Sequence, residues 1–282
     1  MTLDIPPGWA VLADRLASSP WRRLIVLGRT DVGKSSFLRF LARALAARGQ
    51  TVALLDTDLG QKMVGPPACV ALARCTDEGA LQLERIRFVG ETSPAANMVG
   101  VIAASARLAA MALADRLLVN TSGLIAGPGA ALKRWKMEAL DPDRIVALVR
   151  GDELAHIPAP VVATAVHCIQ PSPMARRKTP AERERNRVSA LLEALGARCR
   201  FSSPDLLVED LRRVPAAPDA LRLCGLADER GEDVGLGLVR WADQVEHRVV
   251  WTGLAPERLH RLRLGMPVSE FGDLPGAIPH GS

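Results

Sequence analysis

Two short stretches carry side chains that could act together on a phosphate. The first is Gly28-Arg29-Thr30-Asp31-Val32-Gly33-Lys34-Ser35, which fits G-x-x-x-x-G-K-[ST]. Glycines at both ends let such a loop curl until successive N–H groups point inward at phosphate oxygens, and a helix starting behind it adds its positive N-terminal end. In that arrangement Lys34 reaches the β- and γ-phosphates of a nucleoside triphosphate and the Ser35 hydroxyl ligates Mg²⁺. The nucleotide-binding set is then Gly28, Thr30, Asp31, Val32, Gly33, Lys34, Ser35 and Ser36. The plainer alternative is a glycine-rich turn with an exposed lysine. The apolar run Leu24–Leu27 before the loop and the helical pattern after it supply the strand and helix that the phosphate-binding reading requires.

The second stretch is Asp56-Thr57-Asp58-Leu59-Gly60-Gln61. A neighbouring parallel strand would bring these side chains beside the first loop. A carboxylate there can hold the Mg²⁺ shell or take a proton from an attacking hydroxyl. A strand end capped by turn-forming Asp and Gly explains Asp56 and Asp58 equally well. It does not explain the glutamine three residues after Asp58.

The positioning elements follow from hydrophobic pattern. Leu24–Leu27, Thr51–Leu55, Arg85–Val89, Leu117–Asn120, Ile145–Val149 and Val161–Ile169 read as strands. Lys34–Ala47, Ala95–Ala114 and Ala130–Leu140 read as helices between them. This alternation predicts an α/β fold of the P-loop NTPase type, a parallel sheet with helices on both faces. Ligands on such sheets sit at the carboxyl ends of the strands, which is where both motifs fall. The apolar stretch from Met98 to Val119 is broken by Arg107, Asp115 and Arg116, so it reads as a buried helix running into a strand and no membrane span is expected. From Pro171 the text turns basic, with Pro180 at a predicted helix start and a helix to about Leu195. Pro173–Arg187 holds six basic and two acidic residues, a composition that a solvated helix face would share. Beyond it, Leu221–Leu226, Val234–Val239 and Val249–Thr252 read as short strands. The predicted organisation is a P-loop domain over 1–200, including a basic segment at about 171–195, and a small β-rich appendage over 201–282.

At the D-x-x-Q spacing of Asp58 and Gln61 the chain resembles the polynucleotide 5′-hydroxyl-kinase family, the P-loop RNA kinases of pre-mRNA cleavage, tRNA and ribosomal-RNA processing. Other stretches agree in the family's order. "GETSPAAN" resembles its clasp, implying that Ser93, Pro94 and Asn97 close over the phosphates. "VNTSGLIAGPG" resembles its N-T-x-G-x-x-x-G-x-G segment, the arginines of 176–187 its lid, and "EDVGLGLVRW" and "LHRLRLGMPV" its C-terminal strands. The resemblance runs from about Pro6 to Val268. In several relatives an aromatic follows the N-T-x-G glycine; Leu124 stands there in this chain. The eukaryotic relatives carry a β-rich domain before the kinase domain; only about twenty residues precede the first predicted strand here, so adenine contacts from such a domain are not expected.

The resemblance implies transfer of the ATP γ-phosphate to the 5′-hydroxyl of single-stranded or end-exposed RNA or DNA. Lys34 and the lid arginines Arg177, Arg183 and Arg187, with Arg176 a rival, would neutralise charge. Mg²⁺ would sit at Ser35 and Asp56. Asp58 is the expected general base, with Asp56 the alternative through metal-bound water, and Gln61 would orient substrate or metal-bound water. Two rival classes remain: an ATP-binding scaffold with little turnover, and a P-loop ATPase or GTPase, the latter lacking any N-K-x-D guanine motif here.

Composition bounds the rest. The 282 residues carry a net charge of +5, which suits a polyanionic partner without establishing one. Only five of the 36 basic side chains are lysines, so each lysine stands out against the arginine bias; Lys34 is one. Cysteines 69, 75, 168, 199 and 224 form no C-x-x-C pair, the N-terminus has no basic start followed by an apolar run, and a reducing cytoplasmic compartment is expected. The five histidines have no metal-ligand spacing, and His167 reads as a satisfied core residue. Trp21, Trp135, Trp241 and Trp251 read as core or interface; with no tyrosine, base stacking must come from Trp, Phe, His or Arg.

Overall fold

The computed structural model describes residues 4–157, 165–196, 199–202, 206–212, 220–242, 247–254 and 258–270. The chain packs as two units that interleave along the sequence. Unit 1 comprises Met1–Asp58, Val70–Glu84 and Met98–Lys178; unit 2 comprises Leu59–Cys69, Arg85–Asn97 and Thr179–Ser282.

Unit 1 is built on α1 (Pro7–Ala17), β1 (Arg23–Leu27), α2 (Lys34–Ala46) and β2 (Val52–Asp56), then β3 (Cys69–Cys75) and the start of β4 (Leu81–Phe88). After these come α3 (Met98–Ala110), β5 (Arg116–Asn120), α4 (Pro128–Leu140), β6 (Arg144–Leu148) and β7 (Ala165–Ile169). The strand order is β7-β6-β1-β5-β2-β3. All neighbours are parallel except β2 and β3, which are antiparallel. Strands β1, β2, β5 and β6 are five-residue runs buried almost throughout, as expected where helices cover a sheet, whereas the edge strand β7 alternates between half-buried and exposed. Helix α2 buries Phe37, Leu38, Leu41 and Leu45 at helical spacing, and Trp9 of α1 meets Phe37 edge to face at 5.3 Å.

Several boundaries moved. The predicted parallel sheet is mixed at β3, which runs antiparallel to β2; a tight turn then leads from β3 to β4, closed between Thr76 and Ala80, with Gly79 at φ +78°. Strand β4 begins at Leu81, not Arg85, because Gln82–Arg85 are all exposed and all but Leu83 are polar, which masked the alternation. Helix α3 is shorter than the predicted Ala95–Ala114: the clasp-like stretch before it forms turns, and the chain leaves the helix after Ala110. The predicted strand from Val161 is seen as Ala165–Ile169; residues 161–164 lie outside the described ones. His167 on β7 is half-buried, and its Nε2 is buried with no hydrogen-bond partner, so it is not the satisfied core histidine expected. Trp21 is buried, whereas Trp135 is half-exposed under the guanidinium of Arg134; the side chains of Trp241 and Trp251 lie outside the described residues.

Unit 2 carries the end of β4, α5 (Pro180–Leu195), and strands β8 (Cys199–Ser202), β9 (Leu207–Asp210), β10 (Arg222–Ala227), β11 (Asp233–Ala242), β12 (His247–Thr252) and β13 (Arg261–Pro267). Ile86 pairs with Asp233, and β11, β10 and β13 continue antiparallel, with β9 parallel to β13. Cys224, Leu226, Val239, Val250 and Leu262 form its buried core. Among the described residues no helix is long and apolar enough to cross a membrane.

Candidate functional site

The first loop leaves β1 at Leu27 and enters α2 at Lys34. Its glycines are sterically required. Gly28 takes φ +153°, and a Cβ there would meet the Leu148 carbonyl at 2.7 Å; Gly33 takes φ +91° as the residue before the helix. Asp31 also has a positive φ, 63°, and its carboxylate accepts from the backbone N–H of Lys178 at 2.9 Å. Gly123, the glycine of the N-T-x-G segment, lies so close to Thr30 that any Cβ would overlap the Thr30 backbone. That segment therefore packs on the phosphate loop itself.

Lys34 is buried, 7% exposed, and donates to the carbonyls of Gly28 at 3.0 Å and Arg29 at 2.7 Å. Burial lowers its pKa to about 8, against the opposing pull of Asp58 and Asp31. Asp58 is half-buried, so unit 1 brings Lys34, Asp31 and Asp58 into one electrostatic neighbourhood. Asp56 ends β2 and is fully buried; its Oδ1 accepts from Asn120 Nδ2 at 2.8 Å and from the Asp58 N–H at 3.2 Å. The pairing is a register effect, since Asp56 sits opposite Asn120 on the parallel neighbour β5. Ser35 and Ser36 occupy the first turn of α2, both half-buried.

Three residues of this neighbourhood escape the sequence reading. Asn120 belongs to the N-T-x-G segment but was given no role there. Lys133 and Lys136, on α4, are both fully buried. Lys133 donates to the Ser122 carbonyl at 2.5 Å and Lys136 to the Thr57 hydroxyl at 2.6 Å. The available signal was composition: with Lys34 they make three of the chain's five lysines.

Two oxygen donors meet where β2 and β5 end, the Asp56 carboxylate and Asn120 Oδ1, a buried atom with no hydrogen-bond partner, and the Ser35 hydroxyl stands in the first turn of α2. An all-oxygen set with an unanswered acceptor suits Mg²⁺ and its bound waters. Among the described residues no group of three or more His, Cys, Asp or Glu forms a dedicated metal cage.

The remaining candidates lie on unit 2, apart from exposed Arg177, which belongs to unit 1. Gln61 donates to the Arg183 carbonyl at 3.1 Å. Helix α5 opens with a full capping box, Thr179 accepting from the Glu182 N–H at 3.1 Å and Glu182 from the Thr179 N–H at 2.7 Å, with Pro180 at the first helical position. Arg183 and Arg187 are four residues apart on it and so share a face; both are half-buried, and Arg187 Nε is buried without a hydrogen-bond acceptor. In the clasp-like stretch Ser93 is exposed, Pro94 buried, and Asn97 Nδ2 donates to the Val89 carbonyl at 3.0 Å, so in this structure Asn97 braces its own loop. The stretch is anchored at its start: Gly90 accepts from Met266 N–H at 2.8 Å, and Phe88 N–H donates to the buried Asp233 at 3.0 Å.

Comparison with known proteins gives the family. Residues 28–193 match the family model described as the mRNA cleavage and polyadenylation factor CLP1 P-loop. The chain belongs to this CLP1 P-loop family. It is similar to a polyribonucleotide 5′-hydroxyl-kinase of Pyrococcus horikoshii, 35% identical over 164 residues, covering 55% of this chain and 45% of that protein. It is also similar to a polyribonucleotide 5′-hydroxyl-kinase of Methanocaldococcus jannaschii, 39% identical over 145 residues, covering 49% of this chain and 40% of that protein. The matched region thus spans just under half the length of these curated relatives. A solved Clp1p–Pcf11p complex superposes with a TM-score of 0.69 over 92% of this chain and 77% of that one; at 11% identity it shows the fold, an α/β P-loop architecture.

Proposed function

We propose that this CLP1-family chain is a polynucleotide 5′-hydroxyl kinase, moving the γ-phosphate of ATP to the 5′-hydroxyl of a single-stranded or end-exposed RNA or DNA. The observation that carries the reading is Asp58: a half-buried carboxylate held in the field of the phosphate-loop lysine, where an attacking hydroxyl could lose its proton. Phosphoryl transfer needs in-line positioning and neutralisation of spreading charge more than covalent chemistry. In this scheme the loop Gly28–Ser36 cradles the triphosphate, with Lys34 turning from the Gly28 and Arg29 carbonyls to phosphate oxygens. Asp58 takes the 5′-hydroxyl proton and Gln61 orients the acceptor side. Arg177, Arg183 and Arg187 meet the transferring group, while Ser93, Pro94 and Asn97 close on the phosphates. Ser35 and Asp56 would hold Mg²⁺, which when bound neutralises phosphate charge. Residues 1–200 as kinase domain and 201–282 as β-rich region belong to the same proposal. So does a cytoplasmic setting, with which the free thiols of Cys69, Cys75, Cys168 and Cys224 agree.

The scaffold alternative has one observation in its favour: the Lys34 ammonium already donates to two loop carbonyls, so turnover requires its release. Incubation with γ-labelled ATP and 5′-hydroxyl oligonucleotides of RNA and of DNA decides. Label on the oligonucleotide 5′ end supports the kinase. Tight ATP binding with no transfer to either overturns it in favour of the scaffold.

A further inference from the structure

Helix α4 points two lysines into the protein. Lys133 and Lys136, three residues apart and so on one face, are both fully buried. Buried ammonium groups oppose folding unless something answers them, and an apolar side chain of similar volume would fill the same space. Burial pushes the Lys133 pKa well below the usual lysine range, and the nearby charges of Lys136 and Lys34 push the same way, with only Asp58 opposing. Amino groups of Lys34, Lys133 and Lys136 gathered in one interior region near Asp58 suit a site that must accept a polyphosphate.

The hydrogen bonds show what the two lysines hold. Lys136 Nζ donates to Thr57 Oγ1 at 2.6 Å, and that hydroxyl donates to the Asn120 carbonyl at 2.6 Å. The Thr57 N–H donates to the same carbonyl at 3.1 Å. Asn120 Nδ2 in turn grips Asp56 at 2.8 Å. Thr57 is the residue between the two candidate aspartates, so Lys136, Thr57, Asn120 and Asp56 form one connected chain. Lys133 does the equivalent one turn away, holding the Ser122 carbonyl and hydroxyl next to Gly123, which packs on Thr30 of the phosphate loop.

We propose that Lys136 is a positioning residue for phosphoryl transfer: through the Thr57 hydroxyl it fixes the Asp56–Thr57–Asp58 turn, while Lys133 fixes the Ser122–Gly123 turn against the phosphate loop. The transfer half of this statement rests on the kinase reading above. The geometric half, an Asp56–Thr57–Asp58 turn held through the Thr57 hydroxyl, does not. Neither lysine needs to touch substrate.

The test uses the full chain carrying Lys136→Met, Thr57→Val, Thr57→Ser, or Lys136→Met with Thr57→Val. Thermal midpoint, ADP affinity with and without Mg²⁺, and single-turnover transfer to a 5′-hydroxyl oligonucleotide are measured for each. Lys136→Met keeps or raises the melting midpoint, because an apolar chain replaces a buried cation, yet slows transfer about 100-fold, the usual cost of a small misplacement. ADP affinity in Mg²⁺-free buffer stays within about threefold of wild type, since the phosphate loop is untouched. Thr57→Ser, which keeps the hydroxyl, restores most of what Thr57→Val loses. The double variant is no slower than Lys136→Met alone, because one connection has been cut twice. A Lys136→Met protein that transfers within about threefold of wild type overturns the proposal, as does a double variant whose loss is the product of the single losses. If the wild type transfers nothing, the kinase reading fails by itself. The inference is then judged on the gain in ADP affinity that Mg²⁺ brings: loss of that gain in Lys136→Met supports it, and an unchanged gain overturns it.

Discussion

The side-chain amide of Gln61 donates to the backbone carbonyl of Arg183, at 3.1 Å, at the start of α5. Gln61 is the last residue of D-x-x-Q and Arg183 a proposed lid arginine, so Gln61 holds α5 by its backbone. Gln61→Glu replaces that N–H donor with an acceptor facing an acceptor. The helix start should lose about 1–3 kcal/mol of local stability, read as faster amide exchange in its first two turns. Transfer should slow about 100-fold with nucleotide affinity little changed. Wild-type exchange and wild-type rate together would show that the contact carries nothing.

Lys34 makes nucleotide binding sensitive to pH. Its ammonium is lowered to about 8, by burial first, with Asp58 and Asp31 opposing. A bound polyphosphate favours the charged form, so above about pH 8 binding must take up a proton. Affinity for ADP should be flat below that pH and fall above it, by at most about tenfold per pH unit. The sign for stability is opposite. Between about 8 and the unfolded value near 10.4 the unfolded chain holds more protons at this residue, so its contribution to stability rises with pH. Lys34→Met should remove both trends. Titrations that keep the affinity limb in Lys34→Met would assign it elsewhere.

Arg183 and Arg187 lie on one face of α5, and Arg177 lies in the exposed approach to it. Guanidinium groups stay charged and can grip two oxygens at once, so they act most as charge spreads in the transition state. Arg183→Ala and Arg187→Ala should each lower the single-turnover rate about 100-fold, with smaller changes in ATP affinity. Arg177→Ala should show the smallest fall of the three. Rates near wild type for all three would return the segment to a solvated helix face.

Much of this arrangement is legible from residue spacing. The phosphate loop, the strand before it and the helix after it follow from glycine placement and a 3.6-residue apolar period, and the α5 start follows from T-P-A-E. What escaped is tertiary. The β3–β4 hairpin was hidden because Leu81–Arg85 is largely polar on a strand whose outer residues are exposed. Nothing local in Ala130–Leu140 says that the Lys133 and Lys136 side chains turn inward. Asn120 meets Asp56 only because β2 and β5 are neighbours in register, a fact about strand order that no short window of sequence contains.

The two aspartates are separated by environment, and that separation predicts different failures. Asp56 is fully buried, and its Oδ1 is committed to Asn120 and to the Asp58 N–H. A carboxylate so held has little freedom to meet an incoming hydroxyl, but beside the unanswered Asn120 Oδ1 it suits an ordered metal shell. Asp58 is only half-buried, and its charge acts on both Lys34 and Lys133. Asp58→Asn keeps the shape and removes the proposed base. Transfer should then fall between about 10²- and 10⁴-fold, while ADP affinity and its Mg²⁺ dependence stay near wild type. Asp56→Asn should instead weaken the Mg²⁺-dependent part of nucleotide binding, and its transfer defect should be partly recovered at high Mg²⁺. The two measurements need to be made together, because a rate alone cannot tell a lost base from a lost metal shell. If Asp58→Asn is the variant rescued by Mg²⁺ and Asp56→Asn the one that binds normally without transferring, the roles are exchanged and the proton leaves through metal-bound water held at Asp56.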